Sequence, residues 1–103
     1  MEFHRRHLNA TVLPNHQVLV TGGVHGGGFN DLSTAVHEAE LWNPATGHWT
    51  TLAASARPRG YHAVTLLLPS GEIIHGSSGD ANIPVGLPNA GTPYPRETNH
   101  EIF

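Results

Sequence analysis

The feature that most constrains the fold of this chain is an internal repeat. The segment HLNATVLPNHQVLVTGG, residues 7–23, aligns without a gap on HAVTLLLPSGEIIHGSS, residues 62–78. Pro14 falls on Pro69, so the offset is 55 positions throughout. A repeat of this kind indicates two copies of one supersecondary unit, stacked so that each covers an apolar face of the other.

Each copy is predicted to be a meander of short antiparallel strands. In the first copy, apolar and β-branched runs bounded by turn residues predict strands over 7–13, 17–21, 36–42 and 48–52. In the second copy the same pattern predicts strands over 62–68 and 72–76, and the closing NHEIF matches EAELW of the first copy. A long polar loop, 76–97, separates these parts of the second copy. The 12 glycines and 8 prolines suit tight turns better than long helices.

Further signals identify each copy as a kelch blade. A period of roughly 50 residues, with one four-stranded blade per repeat, is typical of kelch propellers. Gly22-Gly23 ends the second strand, and Trp42 and Trp49 flank an Asn-Pro…Gly turn, where we expect the aromatic pair to lie between blades. The prediction is an all-β fold, a kelch-type β-propeller fragment of about two four-stranded antiparallel blades.

The two blades are assigned to residues 1–56 and 57–103. The second blade stops after the strand that matches EAELW, so we expect it to be incomplete. Because a blade is apolar on both faces, two blades leave two faces uncovered. The isolated chain is therefore expected to be marginally stable, oligomeric or prone to aggregation.

Composition excludes several classes of protein. Five Lys and Arg residues against eight Asp and Glu leave a net charge of −3, and no block of like charge makes nucleic acid or an anionic membrane an expected partner. There is no cysteine, which excludes disulfides and zinc–thiolate sites in this chain. No apolar run reaches the roughly 18 residues of a membrane span, and this chain contains no signal-peptide pattern.

The Gly-rich segment runs from Gly22 to about Ser33, and its residues 22–28 have the composition of a phosphate-binding loop but not its pattern. It lacks the Gly-Lys-Ser/Thr ending and any helix for its glycines to open. We predict a flexible loop at the rim of a propeller.

The nine histidines are many for a chain of this length. We expect His16, His37 and His48 to face solvent, because they lie at turns or polar strand positions. His75 and His100 lie next to the long loop and are candidates to face a site. The two histidines of HRRH, residues 4–7, precede a strand and are not expected to form a metal site.

The pair Tyr61-His62 is the main candidate for chemistry. It lies where the segment between the blades enters the innermost strand, which lines the central channel of a propeller. Successive strand residues point to opposite faces, so both side chains reach one metal only if the backbone turns there, and Gly60 permits this. Imidazole and phenolate suit tetragonal Cu(II). From spacing alone, a structural aromatic–His pair at the start of a kelch strand remains the alternative.

The residues around this pair resemble one family of enzymes. RGYHAVTLLLPSGEI, the loop after it and TNHEIF are similar to the last propeller blade of the galactose oxidase and glyoxal oxidase family of copper-radical oxidases. HLNATVLPNHQVLVTGG is similar to the penultimate blade, including the loop after Gly-Gly. The resemblance covers nearly the whole chain in order, and Tyr-His…Leu-Leu-Leu-Pro…Gly is more specific than a generic kelch repeat.

The resemblance implies a secreted, seven-bladed copper enzyme that oxidises a primary alcohol or an aldehyde and reduces O₂ to H₂O₂. In this family two tyrosines and two histidines hold the copper, and one tyrosine is cross-linked to a cysteine. The resemblance implies that Tyr61 is the axial tyrosinate and the catalytic base toward the substrate O–H, and that His62 is an equatorial copper ligand. The other ligands have no match in this chain, so we expect it to be inactive alone.

Two classes of function are compatible with the sequence. In the first, the chain is part of a copper-radical oxidase whose remaining propeller blades and C-terminal domain are its partners, and whose substrate is a carbohydrate, alcohol or aldehyde. In the second, it is a non-catalytic kelch propeller module that binds proteins or glycans. Tyr61 and His62 favour the first class, whereas Gly76-Ser77-Ser78 in place of a Gly-Gly pair weakens it.

Overall fold

The computed structural model describes residues 1–79 and 97–103, within which the chain forms two antiparallel β-sheets. The first sheet contains, in spatial order, β1 (Asn9–Val12), β2 (Val18–Thr21), β3 (Glu38–Asn43) and β4 (His48–Ala54). The second contains β5 (Val64–Leu67), β6 (Ile73–Ser78) and β7 (Glu97–Ile102). Among the described residues the one helical element is a short 3-10 helix, Leu32–Thr34. The predicted all-β fold of stacked propeller-type sheets is confirmed.

The first hairpin of each sheet repeats the same turn. The N–H of Leu13 donates to the carbonyl of Gln17 at 2.8 Å, and the N–H of Leu68 donates to that of Glu72 at 2.8 Å. Both turns begin with the proline predicted to end a strand. At that position the missing N–H of proline removes no hydrogen bond from the sheet. The offset found in the sequence is therefore preserved in the backbone.

The boundaries of the second sheet differ from those predicted. The loop expected over 76–97 is shorter, because β6 continues to Ser78 and β7 begins at Glu97, which pairs with Ser78. Residues 80–96 of that loop lie outside the described residues. No helix in the described part of the chain is long and apolar enough to cross a membrane.

An apolar cluster joins the two sheets face to face. Leu19, Ala39 and Ile73 are buried at its centre. Partly buried side chains surround them: Leu13, Leu41, Leu67 and Phe103. Each fully buried aliphatic side chain contributes about 1.5–3 kcal/mol relative to exposure, so this cluster is the main attraction between the sheets. At its inner edge the hydroxyls of Thr21 and Thr65 are hydrogen-bonded at 2.7 Å.

The tryptophan pair, predicted to lie between blades, does not lie between the two sheets described here. Trp42 on β3 and Trp49 on β4 are directly opposite, with ring centroids 6.3 Å apart. Leu41, the neighbour of Trp42, contacts the cluster between the sheets, and adjacent strand residues point to opposite faces. The tryptophans consequently lie on the far face of the first sheet and take no part in the contact between the two sheets described here.

Each sheet presents a row of apolar side chains on its outer face. On the first sheet the row crosses all four strands in register: Val12, Val18, Trp42 and Trp49. On the second sheet Leu66, Ile74 and Ile102 are aligned in the same way. Leu66 is 58% exposed and Ile102 is 51% exposed. These outer rows, one on each sheet, have the composition of faces that another sheet covers.

A buried ion pair ties the residues before β1 to the first sheet. Arg5 Nη2 donates to Oε2 of Glu40 at 2.6 Å, and both side chains are fully buried. Arg5 Nη1 donates to the carbonyls of Gly22 and Glu38, which follow β2 and begin β3. Burial lowers the pKa of Arg5, and the carboxylate of Glu40 opposes this change. One guanidinium therefore joins the N-terminal segment to both central strands.

The second sheet repeats this arrangement with Arg59. Its Nη2 donates to Oε1 of Glu101 at 3.1 Å, and its Nη1 donates to the carbonyls of Ser77 and Asn99. Ser77 is the repeat equivalent of Gly22, so the two arginines bind equivalent carbonyls. Because Arg59 lies two residues before Tyr61, the ion pair also fixes the backbone that leads into the candidate site.

Candidate functional site

Tyr61 and His62 lie in the turn that precedes β5, at the edge of the second sheet. His62 has a φ of 65°, in the left-handed region, so the usual alternation of side chains is interrupted. The two rings lie side by side, with centroids 3.9 Å apart and planes at 29°. The backbone thus turns between the two side chains, as their approach to a common point requires, but His62 makes the turn and Gly60 does not.

Gly60 is needed for a different reason. A Cβ at this position would overlap Oδ1 of Asn30 and a methyl group of Leu32. The N–H of Gly60 donates to Oγ of Ser78 at 3.1 Å. The absence of a side chain therefore lets the segment before Tyr61 lie directly between the Gly-rich segment and the end of β6.

Tyr61 is at the centre of a cluster of rings. Phe29, from the Gly-rich segment, meets it edge-on at 5.0 Å between centroids, and His7 meets it edge-on at 5.2 Å. Phe29 and His7 also contact each other at 4.9 Å. Such edge-to-face pairs contribute about 0.5–1.5 kcal/mol each beyond their buried area. Two segments that are distant from Tyr61 in sequence thereby hold the phenol ring, while Phe29 itself stays 65% exposed.

Asn30 connects its own loop to the Tyr61 turn and to the end of β6 through hydrogen bonds. Its side chain is buried, and its Oδ1 accepts the N–H of Tyr61 at 3.0 Å. Its Nδ2 donates to the carbonyl of Gly79 at 3.0 Å. The N–H of Gly79 in turn donates to the carbonyl of Tyr61 at 3.0 Å. The backbone N–H and the backbone carbonyl of Tyr61 are therefore both hydrogen-bonded to neighbouring segments.

The Gly-rich segment, predicted to be a loop, makes several contacts within itself. Val24 is fully buried and contacts Leu32. The N–H of Gly26 donates to Oγ1 of Thr34 at 2.8 Å, and Asp31 caps the short 3-10 helix through the N–H of Ser33. The segment also opens no α-helix, which agrees with the rejection of a phosphate-binding loop. Its residues pack against one side of Tyr61.

His75 does not face the site, contrary to its position next to the predicted loop. It is fully buried between the sheets, with Nδ1 2.7 Å from Oγ1 of Thr65. Burial lowers its pKa, and the charge of Arg59 acts in the same direction, whereas the Val64 carbonyl and Glu101 oppose it. In the described part of the chain no partner lies within hydrogen-bond distance of Nε2. His75 is a neutral interior group.

The histidines predicted to face solvent, and His100, lie at or near the surface. His16, His48 and His100 are exposed, as predicted for the first two. His37 is half-buried, because its Nδ1 lies 2.7 Å from the carbonyl of Ser55 and joins β3 to the segment after β4. His100 pairs with Gly76 in the sheet and has no contact with the ring cluster among the described residues.

Tyr61 and His62 offer a phenol oxygen and an imidazole nitrogen from one turn, with His62 exposed and Tyr61 half-buried. These donor types are ones that copper accepts. Residues 1–79 and 97–103 contain no group of three or more His, Cys, Asp or Glu side chains able to hold a metal ion. Tyr61 and His62 thus place two such donor types side by side in one turn.

Sequence reasoning missed the residues that surround Tyr61. Phe29 and Asn30 lie in a segment without periodicity, 32 and 31 positions before it. His7 carried a signal, because it is the repeat equivalent of His62 and has a similar φ of 58°. That equivalence predicts a second left-handed histidine but not its contact with Tyr61, which depends on how the two sheets stack.

Comparison with known proteins places these features in one family. No protein-family model matches the chain. Two galactose oxidase sequences from Gibberella zeae are each 31% identical to it over 77 residues, which make up 75% of this chain and 11% of each relative. A solved fungal alcohol oxidase of the AA5 family, in complex with copper, superimposes with a TM-score of 0.72 at 26% identity, over 95% of this chain and 20% of that one.

The chain thus spans a small fraction of the length of these oxidases, and its similarity to them extends over most of its own residues. The matching solved structure agrees with the two stacked antiparallel sheets described above. By sequence and by fold, the chain belongs to the galactose oxidase family of copper-radical oxidases.

Proposed function

We propose that this chain forms two neighbouring kelch blades, residues 1–56 and 57–103, of a copper-radical oxidase. The reaction would convert a primary alcohol and O₂ to an aldehyde and H₂O₂, or an aldehyde, water and O₂ to a carboxylic acid and H₂O₂. The observation that carries the proposal is the side-by-side placement of Tyr61 and His62, at the sheet edge, inside a built wall of rings.

In this proposal Tyr61 and His62 hold copper through the phenol oxygen and a ring nitrogen. Bound copper would supply a one-electron redox partner and polarise the substrate hydroxyl. Tyr61 acts as the base that takes the proton of the substrate O–H, while His62 orients the metal. Phe29 and His7 restrict the Tyr61 ring by edge contacts at 5.0 and 5.2 Å.

The remaining machinery would come from the rest of the intact protein. A cross-linked tyrosine–cysteine pair requires a cysteine, and this chain has none. The second histidine ligand would come from a C-terminal domain, and further propeller blades would cover the two outer apolar rows. By family resemblance the intact protein would be secreted, with a carbohydrate, alcohol or aldehyde as substrate.

A non-catalytic glycan-binding propeller module is the second candidate. The exposure of Phe29 favours it, since an accessible aromatic face beside His7 can stack on a sugar ring. The two functions should be lost in different variants. Glycan binding would depend on Phe29 and persist in Tyr61→Phe, whereas oxidation would be lost in Tyr61→Phe.

The deciding experiment uses the full-length protein that contains this chain, loaded with copper. We expect Tyr61→Phe to lower the rate of H₂O₂ production by at least about 10²-fold, the usual minimum for losing a positioned base. His62→Ala should lower copper content as well as rate. His48→Ala, at an exposed histidine on β4, is the matched control and should change neither. Unchanged rates and copper content in the Tyr61 and His62 variants would return this pair to a structural role.

A further inference from the structure

We infer that Asn30 is a positioning residue for Tyr61, acting through the backbone on the direction of the phenol group. The inference rests on the proposed function, because it takes Tyr61 to be the residue whose orientation matters. Asn30 touches neither a metal nor a substrate in this account. Its effect is transmitted through Tyr61 alone.

The hydrogen bonds of Asn30 form a closed ring with the residues that carry the site. Oδ1 accepts from the Tyr61 N–H, Nδ2 donates to the Gly79 carbonyl, and the Gly79 N–H donates to the Tyr61 carbonyl, each at 3.0 Å. The amide is one of the few buried polar side chains of the Gly-rich segment. Its two ends have different tasks, since only the oxygen can accept from Tyr61 and only the nitrogen can donate to Gly79.

Two neighbours of Asn30 show that this contact is tightly fitted. Gly60, immediately before Tyr61, has no room for a Cβ because Oδ1 of Asn30 occupies that space. Phe29, immediately before Asn30, lays its ring edge-on against the Tyr61 ring. One short stretch of the Gly-rich segment therefore fixes both the backbone and the ring of Tyr61. Misplacement of a reacting group by about 1 Å can cost on the order of 10²-fold in rate.

The test compares Asn30→Asp with Asn15→Asp in the copper-loaded full-length protein. Asp at position 30 keeps an acceptor for the Tyr61 N–H but loses the donor to Gly79, so a carboxylate oxygen faces a carbonyl. Asn15 lies in an exposed hairpin turn, where its amide bonds to Gln17, and its variant should behave as the wild type. Asn30→Asp should lower kcat by about 10- to 100-fold, with KM changed less than about threefold. The Cu(II) electron paramagnetic resonance spectrum and the tyrosinate-to-copper absorption band should also shift.

The spectra separate a positioning role from a merely structural one. Loss of rate with unchanged copper spectra would overturn the inference, and so would an unchanged kcat. If Asn30→Asp fails to fold, Asn30→Ser decides by the same readouts, because its smaller hydroxyl removes the bridge without adding charge. An active Tyr61→Phe protein would refute the proposed function itself, whereas an inactive Tyr61→Phe with a normal Asn30→Asp would refute only the role of Asn30.

Discussion

Ser77 adopts a φ of 64°, identical to that of Gly22, its equivalent in the first repeat. The carbonyls of both residues accept hydrogen bonds from the guanidinium groups of Arg59 and Arg5. The second sheet thus keeps a backbone shape that glycine allows freely, but it does so with a residue that carries a Cβ. For such a residue the left-handed conformation costs roughly 1–2 kcal/mol.

We therefore expect Ser77→Gly to stabilise the chain. The relief of strain is partly offset by the greater freedom of glycine in the unfolded chain, so the net gain should be about 0.5–1 kcal/mol. Urea denaturation followed by circular dichroism measures it. Ser70→Gly, at an exposed position of the β5–β6 turn that lacks a positive φ, is the control and should destabilise slightly. A loss of stability in Ser77→Gly would contradict the strain argument.

The two buried ion pairs should differ in their importance. Glu40 is fully buried beside Arg5, so Glu40→Gln leaves a buried guanidinium without its counter-charge and should cost about 3–5 kcal/mol. The Glu101 side chain is 24% exposed, so water can partly replace it beside Arg59, and Glu101→Gln should cost about 1–3 kcal/mol. Glu72→Gln, in an exposed turn, should stay within about 0.5 kcal/mol of the wild type. Equal losses in the two buried variants, measured by urea denaturation, would refute this ranking.

Acid should weaken the contact between the sheets through His75. Its pKa in the folded chain is lowered from the ordinary 6.5, mainly by burial, so the unfolded chain binds the proton more readily. The free energy of unfolding should be fully present above about pH 6.5 and should fall as the pH drops below it. Arg59 disfavours the charged imidazole and Glu101 favours it.

His75→Gln tests this dependence, because glutamine keeps hydrogen-bonding capacity but does not titrate. Its unfolding free energy should vary less between about pH 7 and pH 5 than that of the wild type. His48→Gln should keep the wild-type slope, since His48 is exposed. Below this pH range, protonation of Glu101 should lower the free energy of unfolding further. Burial alone would raise its pKa, but hydrogen bonds from Ala56 and Arg59 outweigh this and hold its pKa below the ordinary 4.5. A wild-type slope in His75→Gln would contradict the assignment.

The outer apolar row of the second sheet should cause the isolated chain to associate. Leu66→Thr and Ile102→Thr keep residues suited to strands but remove much of the exposed apolar area. Together they should raise the concentration at which oligomers appear in analytical ultracentrifugation. Leu67→Thr is the contrasting variant, since Leu67 contacts the cluster between the sheets and its change should lower stability instead. If the double variant associates as strongly as the wild type, the surface through which the chains associate lies elsewhere.

The purified 103-residue chain should produce no H₂O₂ from alcohols, aldehydes or sugars, even with copper added. Tyr61 and His62 supply two donors, and the absence of cysteine rules out a tyrosine–cysteine cross-link within the chain. A peroxidase-coupled assay against a copper-only blank measures this. Turnover above the blank would show that the chain completes its own redox site.

The strands and turns were largely predictable, because they follow from local chemistry. Pro14 and Pro69 end strands, and the apolar runs that flank the hairpin turns match the observed pairings β1–β2 and β5–β6. The Trp42–Trp49 register also follows from the turn between them. Their position on the outer face was not predictable, since nothing in the spacing says which face of a sheet meets its neighbour.

The ion pairs and the surroundings of Tyr61 were not predictable in the same way. Arg5 and Arg59 lie outside strands, where a charged side chain is ordinarily solvated. The two arginines are 54 positions apart, and Glu40 and Glu101 are 61 positions apart. The repeat has an offset of 55, so its gapless alignment pairs neither the arginines nor the glutamates. Asn30 reaches Tyr61 across 31 positions. Such contacts are created by the stacking of sheets and leave no periodic trace in the sequence.

The Gly-rich segment between β2 and β3 has a consequence for how new specificity can arise in this fold. Its ends, Thr21 and Glu38, are fixed by the sheet, while its middle supplies Phe29 and Asn30 to Tyr61. Doubling the length of a connection costs only about 0.6 kcal/mol in closure entropy. Insertions here can therefore bring different side chains to the phenol while the two sheets and the Tyr61-His62 turn keep their shape. In the proposed oxidase, the reacting groups and the loop surface that selects a substrate could thus change independently of each other.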